Sequence, residues 1–167
     1  MVVFDIPITH NTHRKRLRRH LYNRHFGCLQ DSLWISPDSL SSERELLTSG
    51  EINVESLILM EGKPCAGESD SQLVAGAWNW EQINKRYEEH LKVLEQRPGG
   101  TLNSRATAQV MLRWAAVERA SWLQAVAPDP LLPECLLPAG YRGCEAWERR
   151  VEALGMASRQ IRTFQHS

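Results

Sequence analysis

Four prolines set limits on where this chain can be regular. Pro7 closes the apolar run Val2-Val3-Phe4-Asp5-Ile6, and Pro130, Pro133 and Pro138 punctuate the segment from Asp129 to Pro138. Each proline locks its own φ, lacks an amide donor and turns the residue before it away from helix. The first run is therefore predicted as a short strand stopped at Pro7. The second reads as a stiff connector between helices.

Between these marks the first half has a definite order. Val2 to Ile6 is predicted as a strand and His10 to His25 as a helix, in which Leu17 and Leu21 form a narrow apolar stripe, Phe26 closes it and Gly27 ends it. Phe26 to Gln30 and Ser32 to Ser36 read as two strands in quick succession, the second stopped by Pro37. Ser42 and Glu45 have the spacing of a capping box and open a short helix that Gly50 ends. Ser56 to Glu61 is a last strand, cut off by Gly62 and Pro64. The sum is βαββαβ, the order of a ferredoxin-like sheet with two helices on one face.

The second half is helical. Gly67 to Ser71 reads as a loop. Asn79 and Gln82 can cap a helix whose Ile83, Tyr87, Leu91 and Leu94 recur at helical spacing, until Gly99 and Gly100 break it. A longer helix from Ser104 to Val126 carries Ala106, Val110, Trp114, Val117 and Ser121 on one face and Met111, Trp122 and Ala115 on the neighbouring one, and is mostly apolar around its girth. After the proline connector, Ala146, Trp147, Val151, Leu154, Ile161 and Phe164 predict a last helix, broken near Gly155. The expected class is α+β, with a ferredoxin-like domain over 1–70 and a helical domain over 71–167.

Charge is distributed unevenly beneath a formal net charge of zero. No acidic residue occurs between Ile6 and Gln30, where Arg14, Lys15, Arg16, Arg18, Arg19 and Arg24 accumulate. On a helix, Arg14 with Arg18 and Lys15 with Arg19 flank the Leu17/Leu21 stripe. Such a face suits phosphate, on a nucleic-acid backbone or on a nucleotide-like ligand, and equally suits a solvated helix that pairs with the acidic remainder of the chain. Hydrophobic content of 42% supports a folded core. No apolar run is long enough to span a bilayer and no signal-like leader is present, so a soluble, cytoplasmic protein is expected. Cys28, Cys65, Cys135 and Cys144 lack metal-site spacing and are expected as buried, reduced thiols. Trp34, Trp78, Trp114, Trp122 and Trp147 are expected in the core or at a domain interface. No phosphate loop or nucleophile motif occurs, so neither enzymatic activity nor a resident cofactor is expected.

Several phrases in register resemble one family. They are Val3-Phe4-Asp5-Ile6-Pro7, the arginine-rich helix ending in Phe26-Gly27, Leu33-Trp34-Ile35-Ser36-Pro37, Ala77-Trp78 before a helix with Tyr87, and Asp129-Pro130 through Pro133 and Pro138 to Tyr141 and Gly143. The pattern resembles the PaaX transcriptional repressors. The resemblance implies a regulator of aromatic (phenylacetate-type) catabolism, a homodimer released from operator DNA by phenylacetyl-CoA or another aryl-CoA thioester. It also implies a winged helix ahead of the ferredoxin-like domain, which would carry the operator contact and which this chain, starting at its first strand, is expected to lack. Leu123-Gln124 follow Trp122 where the family carries a basic pair, and Tyr141 stands at a common tryptophan position. The same first half is similar to Cas2, a small ferredoxin-like CRISPR protein. That alternative implies a metal-dependent nuclease or nucleic-acid-binding protein with Asp5 as the metal-holding carboxylate. The favoured expectation is the effector-binding and dimerisation part of a PaaX-like repressor, with Arg14, Lys15, Arg18 and Arg19 as phosphate contacts.

Overall fold

A computed structural model describes residues 1–5, 11–38 and 56–165. The chain divides into two compact units, one of residues 1–79 with 128–139, the other of 80–127 with 140–167. The proline connector thus belongs with the N-terminal sheet.

In the first unit, β1 (Val2–Asp5), β2 (Gly27–Gln30), β3 (Leu33–Ile35) and β4 (Ser56–Leu59) form one sheet in the order β2-β3-β1-β4. Every neighbouring pair is antiparallel, with Val2 opposite both Trp34 and Leu59. This is the ferredoxin-like arrangement predicted from the order of elements. The helix expected from Ser42 lies outside the described residues, as does Pro7.

Alternation along the strands sorts side chains between the two faces. Val2, Phe4 and Trp34 meet Leu17, Leu21 and Phe26 in a buried cluster, with Cys28 and Leu59 packed against it. Those leucines belong to α1 (Asn11–Asn23). Gly27 does not end α1. The helix closes two residues earlier, where His25 adopts φ 61°, its amide donating to the Tyr22 carbonyl and the Phe26 amide to that of Leu21. This double closure places Phe26 back against Leu21 in the core.

Gly27 has a different task. A side-chain carbon there would lie 2.7 Å from both the Ala77 Cβ and the Trp78 ring. Strand β2 is bare at this point so that α2 (Asp70–Ala77) and Trp78 can lie on it, on the face away from α1. Gly67 to Ser69 are non-helical as expected, but helix α2 takes up Asp70 and Ser71, the end of the segment predicted as a loop. Ser69 accepts from the Gln72 amide and the Gln72 side chain accepts from the Ser69 amide, a complete capping box.

The connector makes a turn at its start. The Asp129 carboxylate is fully buried and accepts from the Leu131 amide at 2.8 Å, holding Leu131 at φ 52°. Leu132 is then buried, and Glu134–Leu136 form one 3-10 turn with Pro133 as its N-cap.

The second unit contains α3 (Trp80–Glu95), α4 (Arg105–Val126) and α5 (Gly143–Gln165), with α3 packed on both others. Ser104 caps α4 through the Thr107 amide. Of the two apolar faces expected on α4, the buried one comprises Met111, Trp114, Glu118 and Ala125, and Val110 and Val117 are half exposed. Likewise α5 buries its small residues Ala146, Ala153 and Ala157 and exposes Trp147, Val151 and Ile161. Alanines allow close approach of helices; the larger side chains are left outside. Helix α5 runs unbroken through Gly155, its packing outweighing the roughly 1 kcal/mol that glycine costs a helix. Gly143 is required where it stands, since a Cβ there would overlap the Tyr141 ring.

Candidate functional site

Helix α1 displays its cations on two sides of the Leu17/Leu21 stripe. Arg14 and Arg18 lie next to the core and are half-buried; Lys15, Arg16 and Arg19 are exposed. Arg18 donates from one nitrogen to both the carbonyl and the carboxylate of Asp31, in the β2–β3 turn. It is thereby committed to fastening the helix to the sheet. Lys15 and Arg19 make no ion pair among the described residues. Tyr22, one further turn along at the i+7 position from Lys15, is 52% exposed. The row Lys15, Arg19, Tyr22 thus presents an ammonium, a guanidinium and a phenol on a single face. Tyr22 was missed in the sequence, although its i+7 spacing from Lys15 was the available signal.

The other residues expected at a site have structural surroundings. Trp34 is buried in the sheet core. Trp78 is half-buried and donates its indole N–H to the His25 carbonyl at 3.2 Å, pinning α2 to the end of α1. Asp129 forms the connector turn, in which Pro130 precedes the left-handed Leu131, while Pro133 opens the 3-10 turn and Pro138 follows it, half-buried. Asp5 ends β1 in register with Ser56 of β4. Among the described residues no three histidine, cysteine or acidic side chains come together as a metal site. Cys65, Cys135 and Cys144 are exposed and Cys28 half-buried, contrary to the expectation of four buried thiols, because loop, 3-10 turn and helix start all face water there. Trp147 is likewise half exposed rather than core.

The second unit contains a cluster that periodicity alone did not reveal. His90 of α3 and Glu118 of α4 occupy core positions and are 0% and 2% exposed. Arg150 of α5 donates its Nε–H to Glu118 Oε1 at 2.6 Å, and its guanidinium sits 4.8 Å from the centre of the Trp122 ring. His90 Nε2 is 3.8 Å from the same carboxylate oxygen, beyond hydrogen-bond reach, and neither ring nitrogen has a hydrogen-bond partner. Burial, with the nearby Arg150 charge, pushes the imidazole down to about 4. Tyr87, Trp122, Trp147 and Tyr141 surround the cluster in successive tilted or edge-on ring contacts. The sequence signal was a histidine three residues after Tyr87 and a glutamate four after Trp114, each on a core stripe.

No helix among the described residues is long and apolar enough to cross a membrane. Residues 1–74 match the PaaX protein central Cas2-like domain. The whole chain is similar in structure to an uncharacterized protein, Rv0674, from Mycobacterium tuberculosis, at a TM-score of 0.62 and 17% identity. The likeness covers 98% of this chain and 62% of that one, so the chain spans less than two thirds of its neighbour's length. No curated protein matches it.

Proposed function

We propose that this chain, whose first 74 residues match the PaaX protein central Cas2-like domain, is the non-enzymatic, effector-responsive part of a PaaX-like transcriptional regulator. In this reading the α1 face lies along phosphate. The observation that carries it is the exposed pair Lys15 and Arg19, one helical turn apart and without acidic partners among the described residues, beside Tyr22. Two cations at that spacing on a rigid helix can follow a DNA backbone, where each neutralised phosphate releases a counterion and steepens the salt dependence. Sequence selection would come from a winged helix. The protein would act as a homodimer on operators of aromatic catabolism and be released by an aryl-CoA thioester, whose phosphates would compete for the same charge.

Binding of a short labelled duplex, followed by fluorescence anisotropy between about 50 and 200 mM salt, tests this. The variant with Lys15→Ala and Arg19→Ala is expected to bind more weakly and to lose about 2 from the slope of log affinity against log salt. Arg18→Ala should instead reduce stability, because Arg18 holds Asp31. An unchanged slope in the Lys15/Arg19 variant would remove α1 from the interface. Phenylacetyl-CoA is expected to displace the duplex where free phenylacetate does not. Intact duplex is expected after incubation with Mg²⁺; cleavage would favour the Cas2-like nuclease alternative.

A further inference from the structure

We infer that the sheet face opposite α1 carries a binding pocket for a small apolar molecule without negative charge. Because Cys28 and Trp34 turn toward α1, their strand neighbours Leu29, Leu33 and Ile35 turn the other way. An apolar sheet face of this kind needs a cover. Helix α2 and the proline connector supply one, but between them and the strands they leave a pocket of about 830 Å³. Its far wall is Leu73, Val74 and Trp78 from the α2 side and Leu132 and Leu136 from the connector. That volume lies within the range that holds organic ligands.

The wall is already in position. Trp78 is fixed by its hydrogen bond to the His25 carbonyl and by its seat against Gly27, and Leu132 is buried. A ligand would therefore enter a preformed cavity and need to order few side chains.

Charge at the rim determines the class of ligand. Asp38, Glu61, Glu68 and Asp70 line the pocket, against Lys63 as the only lysine or arginine among the lining residues. Met1 also lines the pocket, its terminal ammonium donating to the Met60 carbonyl, so four carboxylates outnumber two ammonium groups, and the net negative rim repels anions and tolerates neutral or cationic groups. A carboxylate or a phosphate-bearing thioester would carry the wrong sign, so this pocket is separate from the α1 phosphate face and does not depend on the regulator reading.

Two dyes that share a ring skeleton provide the test. N-phenyl-1-naphthylamine is uncharged, and 8-anilino-1-naphthalenesulfonate adds one sulfonate; both fluoresce on entering an apolar site. With the full chain at low ionic strength, the neutral dye is expected to saturate at one site and the sulfonate to bind roughly tenfold more weakly, the gap narrowing as salt is added. Asp38→Lys with Glu68→Lys, both at exposed positions, should recover most of the sulfonate's affinity while leaving the neutral dye within about twofold. Leu73→Trp, which fills the cavity, should weaken the neutral dye at least about tenfold. Equal binding of the two dyes, failure of the neutral dye to saturate, or unchanged binding in a folded Leu73→Trp variant would each overturn the proposal. If Leu73→Trp does not fold, the charge-reversed pair decides, and no gain in sulfonate binding there overturns the proposal as well.

Discussion

His90 shows how a single buried residue sets a pH dependence. An imidazole with no hydrogen-bond partner, in contact with the Trp122 ring and near the Arg150 guanidinium, is held neutral. Glu118, the one carboxylate within ion-pair distance of it among the described residues, is already engaged by Arg150. Folding therefore lowers the imidazole from its ordinary value near 6.5 to about 4. Between those values the unfolded chain binds the proton and the folded chain does not, so stability rises with pH through that window. It is full above about pH 6.5 and declines toward pH 4, by about 3 kcal/mol at most. Denaturant midpoints of the wild type and of His90→Gln at pH 7 and pH 4.5 check this. The variant should lose much of the difference; an identical pH response in both proteins would assign it to other groups. Glu118 illustrates the complementary point, since removing it would strand the partly buried Arg150. The histidine was visible on the helical stripe of α3, but its neighbours on α4 and α5 lie 28 and 60 residues away in sequence, and nothing local announces them.

At the scale of elements, boundaries were legible where a local chemical rule ends them. Pro37 and the Ser104 cap stop and start structure where expected, whereas α3 already ends at Glu95, ahead of Gly99. Helix α2 was overlooked because its eight residues include Gly76 and begin in a segment rich in glycine, serine and acid. Its Ser69/Gln72 box was the readable sign. With so short a helix, the cap carries much of its stability. Ser69→Ala is expected to destabilise the sheet unit by about 1 kcal/mol and to raise amide exchange selectively in α2, measurable by NMR. Exchange unchanged in α2 would show that packing on β2 alone holds it. Core faces were the weaker inference. A helix such as α4, apolar around most of its girth, offers several faces of similar hydrophobicity, and only the packing of α3 chose Met111, Trp114 and Glu118 over Val110 and Val117.

At the scale of the whole molecule, the chain leaves the sheet unit after Asn79 and returns to it for residues 128–139. Leu132 is the buried anchor of that return. Leu132→Ala is expected to cost the sheet unit about 2–3 kcal/mol, with hydrogen exchange accelerating in β2, β3 and α2 well before α3. Equal acceleration in both units would mean that they unfold as one. Much of this molecule was set by sequence alone. Strand alternation, turn residues and the acid-free helix establish the antiparallel ferredoxin-like order, the basic row on α1 and the phrases shared with PaaX, because each depends on residues within a few positions of one another. The tertiary structure decided the rest. It committed Arg18 to Asp31, placed His90 between Glu118 and Trp122, reserved Gly27 for Trp78 rather than for a helix end, and left a cavity beneath the connector. Each of these is a contact between segments distant in the chain, and periodicity shows that a residue must face something without showing what that will be.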